Sequence, residues 1–304
     1  MKYDSLMAVL EAYPNEKACV HHLEKLRWPK GIVCPCCGST RKIYKLERGH
    51  TYKCADCRSQ FSVRKGTIFE ESRLPLRKWF AAMWLVTSNR KGISSLQLSK
   101  EIGITQKSAW FVLQRLREAC GSDLTMLRGI VEVDETYIGG KEKSKHERKR
   151  QHAGRGAVGK TAVIGMRERG GRAKATPVNA VDADNLHEAI HEHVEMGSML
   201  HTDEHAGYRG LGGIFFRHET INHGIGEYIR DGVSTNSIES VWAVLKRGLY
   251  GVYHHASKKH LARYINEFTF RLNDGNVKRH TLDRLDSLAA ATIGRRITYR
   301  ELIA

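Results

Sequence analysis

Ile130-Val131-Glu132-Val133-Asp134-Glu135-Thr136 decides the fold class of this chain. Four of these seven residues are β-branched, which stiffens χ1 and favours an extended backbone. The stretch therefore reads as a strand, with Asp134 near its end. Toward the C-terminus, residues 162–167 and 173–181 read as further strands, 185–194 as a helix and 199–203 as a strand ending Leu200-His201-Thr202-Asp203. Residues 236–250 carry Ile238, Val241, Trp242, Leu245 and Leu249 at i, i+3, i+4, i+7 and i+11, the stripe of a half-buried helix. Residues 258–273 repeat that spacing with Leu261, Tyr264, Ile265, Phe268 and Leu272. Strands interleaved with helices define an α/β domain. Residues 204–233 are rich in Gly and His and show no period, and the tail beyond Asp274 is helical in part. Residues 139–160 hold eight Lys or Arg against Glu142 and Glu147 and read as a mobile basic insertion.

Toward the N-terminus the character changes. Residues 5–26 read as one or two amphipathic helices, closed by Trp28-Pro29-Lys30-Gly31. Five of the seven cysteines then fall within 24 residues. Cys34-x-x-Cys37 and Cys54-x-x-Cys57, 16 residues apart, supply four thiolates on two tight knuckles, the donor set of one structural Zn²⁺. Cys36 shares the first knuckle and competes with Cys34 and Cys37, while a redox pair is the other use of such spacing. Cys19 and Cys120 read as buried thiols. Residues 74–119 turn helical, and 94–118 have the layout of a helix-turn-helix, with Gly103 at the turn and Thr105 capping the second helix. Gln106, Lys107, Ser108, Gln114, Arg115 and Arg117 on that helix would face DNA, unless the pair is an ordinary core hairpin.

Fifty Lys and Arg against 33 Asp and Glu leave a formal charge of +17, which points to a polyanionic partner. The first residues show no signal-peptide pattern, and no apolar run approaches the roughly 20 residues of a membrane span. An intracellular, cytoplasmic, nucleoid-associated protein is the expectation.

The candidate chemistry lies in the acids. Asp134 and Asp203 close two strands, where α/β sheets gather ligands and metals. On a wheel of about 100° per residue starting at Ile238, Glu239 lies near 100° and Lys246 near 80°. Both flank the apolar stripe two turns apart and can reach one cleft. Glu132, Glu135 and Glu204 adjoin the two aspartates as rival ligands, and Asn236 and Asp231 rival Glu239.

Several segments together resemble the zinc-ribbon insertion-sequence transposases of bacteria, the ISXO-type group. They are Arg27-Trp28-Pro29 before Cys34-Pro35-x-Cys37-Gly38, then Val133-Asp134-Glu135-Thr136-Tyr137-Ile138-Gly139-Gly140 and His201-Thr202-Asp203. Ser234-Thr235-Asn236-Ser237-Ile238-Glu239, Trp242, Leu245-Lys246-Arg247-Gly248, Tyr253-His254 and Tyr264-Ile265-Asn266-Glu267-Phe268 follow in order. The resemblance implies an RNase H-like catalytic domain (126–275) preceded by N-terminal helices and a zinc ribbon (1–70) and a helix-turn-helix segment (71–125), with a C-terminal tail (276–304). It implies Asp134, Asp203 and Glu239 as ligands of two Mg²⁺ or Mn²⁺ ions, with Lys246 as the basic residue that follows. The implied partners are transposon ends, target DNA and a second copy of the chain. A DNA-binding regulator without catalysis and a nuclease that cuts without joining are the rival functions.

Overall fold

The computed structural model describes residues 5–46, 50–140, 146–150, 157–213, 217–222, 224, 227 and 229–304. The chain divides into two compact units, one of residues 1–122 with 274–304 and one of 123–273. Half of the basic stretch 139–160, residues 141–145 and 151–156, lies outside the described residues.

The first unit begins with α1 (Leu6–Ala12) and α2 (Glu16–Arg27), capped by Ser5 and Asn15. A three-stranded antiparallel sheet follows, β1 (Ile43–Lys45), β2 (Thr51–Cys54) and β3 (Gln60–Ser62). It is too small for a core of its own. Trp28 packs edge-on against Tyr52 and Phe61, with centroids 5.9 and 6.0 Å away, and so ties the sheet to α2. Helix α3 (Leu76–Ser88) is buried on nearly all sides, as the central helix of a bundle must be. Helix α4 (Ser95–Ile102) ends at left-handed Gly103 (φ 60°), and Thr105 caps α5 (Gln106–Cys120) through the Ser108 amide. Three residues expected to face DNA do not. Gln114, Arg115 and Arg117 are buried, because α3, α4 and the C-terminal helix enclose α5. The Arg115 guanidinium donates to the carbonyls of Ile68 and Glu70 at 2.6 and 3.0 Å. Gln106 and Lys107 remain exposed.

The second unit is a mixed five-stranded sheet between helices. It comprises β4 (Ile130–Ile138), β5 (Thr161–Glu168), β6 (Ala173–Val178), α6 (Ala183–His193), β7 (Met199–Thr202), β8 (Arg217–Thr220), α7 (Asn236–Gly248) and α8 (Lys258–Leu272). The sheet order is β6-β5-β4-β7-β8. Strand β5 runs antiparallel to β4 and β6, while β7 runs parallel to β4 and β8. The period-two alternation of side chains sorts two cores. Val131, Val133, Ile164 and Met166 pack with Leu186 and Ile190 of α6. Ile138 and Val163 pack with Ile238, Trp242 and Leu245 of α7 and Leu261, Ile265 and Phe268 of α8.

The tail returns to the first unit. Helix α9 (Thr281–Ala291) packs on α2, α3 and α5, and α10 (Tyr299–Ile303) closes the chain with a Thr298–Glu301 capping box. Arg284 donates to the Thr87 carbonyl at 2.6 Å, and Asp286 lies 2.7 Å from His22. The ribbon, the helical pair and the tail, expected as separate parts, thus pack as one unit. Among the described residues no helix is long and apolar enough to cross a membrane.

Candidate functional site

Among the described residues two clusters of ligating side chains form, and each begins in local backbone geometry. In the ribbon, the Cys34 carbonyl accepts from Gly38 and the Cys54 amide donates to Ser59, which closes two knuckles. The residue after each pair, Gly38 (φ 74°) and Arg58 (φ 57°), takes the left-handed conformation that turns the chain back. The four Sγ atoms of Cys34, Cys37, Cys54 and Cys57 lie within 4.8 Å of one another. Cys34–Cys57 and Cys37–Cys54 are 3.6 and 3.7 Å apart. Those spacings exceed a disulfide's roughly 2 Å. They match the roughly 3.8 Å edge of a tetrahedron with Zn–S bonds of about 2.3 Å. Cys36 is exposed and outside the group. The donor set fits a structural zinc, which supplies the stability that this small sheet lacks. Cys54→Ser should drop bound zinc from about one per chain to near zero and melt the ribbon, by metal analysis and circular dichroism.

The second cluster follows from sheet register. Strands β4 and β7 pair only through Ile130↔Met199, Val131↔Leu200 and Glu132↔His201. Continuing that register two steps sets Asp203 beside Asp134, where β7 has ended and the two strands part. Asp134, Glu135 and Asp203 bring carboxylate oxygens within 4.8 Å of one another in this crevice. Oxygens on one Mg²⁺ lie about 3 to 4.2 Å apart, given bonds of about 2.1 Å, so the set is on the scale of a divalent cation. Asp203 is fixed by the His205 amide at 3.0 Å, and Glu135 accepts from the buried Tyr208 hydroxyl at 2.7 Å. Asp134 accepts from Trp242 Nε1 at 2.7 Å. Burial pushes the Asp134 carboxyl up to about 7; the Trp242 bond opposes this, and the nearby Glu135 and Asp203 charges add to it.

Trp242 reaches Asp134 because Gly165 faces Asp134 across β5 and leaves its place empty. A Cβ on Gly165 would overlap the Trp242 ring and the Ile238 Cδ1. Gly165→Ala should cost about 1–3 kcal/mol in a urea melt and loosen the Trp242–Asp134 bond.

Glu132 serves the same helix rather than a metal. It is 1% exposed, and its carboxylate accepts from the Ser237 amide and hydroxyl at 2.8 and 2.6 Å and from the Ile238 amide at 3.2 Å. Thr235 makes no side-chain cap, so a β4 carboxylate satisfies the orphan donors of the α7 N-terminus. Arg169 completes the network, reaching Glu132, His201 and the Gly232 carbonyl.

The structure therefore brings Asp134 and Asp203 together with Glu135. Glu239 is not in that group; it is exposed on the first turn of α7, and Lys246 is half-buried on the last turn. Trp242 lies between them on the same flank. Glu132 and Glu204, rival ligands by sequence, also stand outside the group. Tyr208 and Arg169 had no signal in the sequence, and Trp242 had one only as a residue of the apolar stripe and of the family resemblance, since an indole, a phenol and an arginine become partners only through strand register.

Fold and site define a mixed α/β protein with a crevice of three carboxylates on the scale of a divalent cation and a four-cysteine ribbon whose donors fit zinc. Comparison with known proteins names the class further. Residues 126–273 match the ISXO2-like transposase domain, and residues 14–60 match the transposase zinc-ribbon domain. The chain belongs to this transposase family. It is 29% identical over 279 residues to a protein of Halobacterium salinarum described as an uncharacterized protein in transposable element ISH50, spanning 87% of this chain and 93% of that one. A chain of a simian T-cell lymphotropic virus intasome, solved with the PP2A regulatory subunit B56 gamma, covers 62% of this chain and 65% of its own length at 14% identity and a TM-score of 0.29.

Proposed function

We propose that this protein is a DNA transposase that cuts phosphodiesters at the ends of its element and joins the freed ends to target DNA. The crevice carries the proposal: acids from two parallel strands converge where the strands part, inside the segment matched by the transposase domain. The strand order within the unit, 3-2-1-4-5 in its own numbering with only the second strand antiparallel to the rest, supports an RNase H-like architecture.

Asp134, Asp203 and Glu239 form the proposed catalytic set, with Glu135 as the rival third acid. Helix α7 is tied to β4 twice, by Glu132 at its start and by Trp242 one turn later. Glu239 and Lys246 flank Trp242 by three and four residues, so both ride on the turns that face Asp134. Two Mg²⁺ or Mn²⁺ ions held there would activate the attacking oxygen and stabilise the leaving one. Water then displaces the 3′-oxygen at the element end, which departs as a free 3′-hydroxyl. That hydroxyl attacks a target phosphodiester, so one P–O bond forms as another breaks. Lys246 holds a phosphate in line for these steps. Exposed Gln106 and Lys107 on α5, the helix-turn-helix layout and the net positive charge serve DNA binding, which should weaken steeply with salt. Two ends must be held together, so the working form is at least a dimer.

Cation binding needs Asp134 ionised. Above pH 7 it already is, and below that a proton must be displaced. Mg²⁺ affinity should therefore fall roughly tenfold per pH unit below about 7, by calorimetric titration at pH 6 and 8. A flat profile would remove Asp134 from the ligand set.

The test is an assay of cleavage and joining on duplexes bearing the element's ends. Asp134→Ala, Asp203→Ala and Glu239→Gln should each lose cleavage while binding persists. Loss in Glu135→Gln with retention in Glu239→Gln would transfer the third role to Glu135, and loss in Asn236→Ala instead would transfer it to Asn236. Binding without cleavage by the unaltered protein would leave a regulator, and cleavage without joining a nuclease.

A further inference from the structure

Beyond the acids, the same unit holds a cavity that the proposed chemistry does not use. It has a volume of about 470 Å³ and lies between the end of β4 and the segment that follows α7. That size falls within the range of small-molecule sites. Its wall combines Tyr250, Lys160, His254 and His255 with apolar Ile138 and Leu249. Tyr250 is half exposed, and its hydroxyl donates to the Gly139 carbonyl at 3.4 Å. After α7 the chain widens into a π-helical turn, Leu249–Tyr253, and His254 sits at φ 59°. Such widened turns recur at functional sites, and left-handed backbone at a non-glycine is held only by its surroundings. Gly140 also lines it, and a Cβ there would meet nothing within 4 Å.

Ile138 is four residues beyond Asp134 on the same face of β4, which is about 13 Å along the strand. In B-form DNA that is about four nucleotides of one strand. Apolar walls argue against a bare phosphate site, and a concave pocket cannot take a base still stacked in a duplex. We infer that this cavity receives one unpaired nucleotide of the DNA, within about four nucleotides of the cut phosphate. Its base stacks on Tyr250, and its phosphates meet Lys160, His254 and His255. Stacking on an aromatic ring supplies about 1–3 kcal/mol per base, comparable to the cost of drawing a base from the helix. The inference rests on the transposase reading above.

The test uses the full chain and duplexes of the element's terminal sequence, with 2-aminopurine placed in turn at each position within four nucleotides of the cut. Unstacking brightens this base. One position should brighten severalfold with the unaltered protein and with Tyr250→Phe. Tyr250→Ala, which removes the ring, and Gly140→Leu, which adds bulk to the lining, should each lose the brightening and slow cleavage about tenfold. A mismatch at that position, which makes extrusion easier, should restore part of the rate. Circular dichroism guards against misfolded variants. Binding and cleavage with no brightened position, or brightening that survives both variants, would overturn the pocket alone. Absence of binding and cleavage would overturn the transposase reading with it.

Discussion

Asp134→Asn will abolish DNA cleavage and yet raise the melting temperature of the metal-free protein at pH 8. Both outcomes have one cause. Asp134 is pushed up to about 7 by burial and by the neighbouring Glu135 and Asp203 charges. In the unfolded chain an aspartate releases its proton near 4. The sign follows from linkage. A raised carboxyl contributes its full stability below the unfolded value, and that contribution is lost as pH rises through the folded one. At pH 8 the folded protein holds an ionised, crowded carboxylate. Asn cannot ionise, and its Oδ1 can still accept from Trp242 Nε1, which binds Asp134 at 2.7 Å. The gain should be on the order of 2 kcal/mol after solvent screening, or a few degrees in a thermal melt, and should shrink at pH 5. Cleavage should fall by about three orders of magnitude or more, as for other groups that act as a unit. A variant that melts lower than the unaltered protein at pH 8 would remove the strained charge from the account. Such a site is unstable by construction, because repulsion among its acids is what a bound cation relieves.

Glu132→Ala will have the opposite character, a large loss of stability in a residue that touches no metal. Its carboxylate is 1% exposed, ion-paired to Arg169 and hydrogen-bonded to two amides and a hydroxyl at the start of α7. Removing it strips two amides and a hydroxyl at the start of α7 of their acceptor, while the partly exposed Arg169 keeps the Gly232 carbonyl; at about 1–3 kcal/mol per unsatisfied buried donor the loss should be about 3–5 kcal/mol. Against a typical total of about 5–15 kcal/mol, urea melts should show the second unit close to unfolding at 37 °C. Glu132→Gln should lose less, since an amide oxygen still accepts from Ser237 while its NH₂ faces the Arg169 guanidinium. The residual cleavage of that variant should be lower than its folded fraction, because α7 carries Glu239 and Lys246. Equal melting of Glu132→Ala and the unaltered protein would show that α7 is capped otherwise.

Two glutamates and an aspartate look alike here in the sequence. Glu132, Asp134 and Glu135 stand within four residues, and composition gives each the same claim on a metal. Period-two alternation sends Glu132 and Asp134 to the α7 face of the sheet, but it cannot show that one meets a helix terminus and the other an open crevice. That difference depends on β7 stopping at Thr202, after three pairs with β4. Strand β8 escaped notice for a related reason. Arg217–Thr220 is polar and mostly exposed at the sheet edge, so it carries no apolar alternation. Arg115 and Arg117 misled in the other direction. Cations on an amphipathic helix read as solvent-facing, yet carbonyls of the 64–74 segment provide Arg115 with a buried place.

By itself the sequence determined what depends on local spacing. The two Cys-x-x-Cys knuckles, the helix stripe around Trp242, the glycine turn before α5 and the alternation around Asp134 are all set within a few residues. Only the tertiary structure decided which distant groups meet: Asp203 beside Asp134, Trp242 in the space left by Gly165, Glu132 at the start of α7, and the tail helix on α3. Those meetings depend on strand register and helix docking, which many small contacts fix together and no short stretch encodes alone.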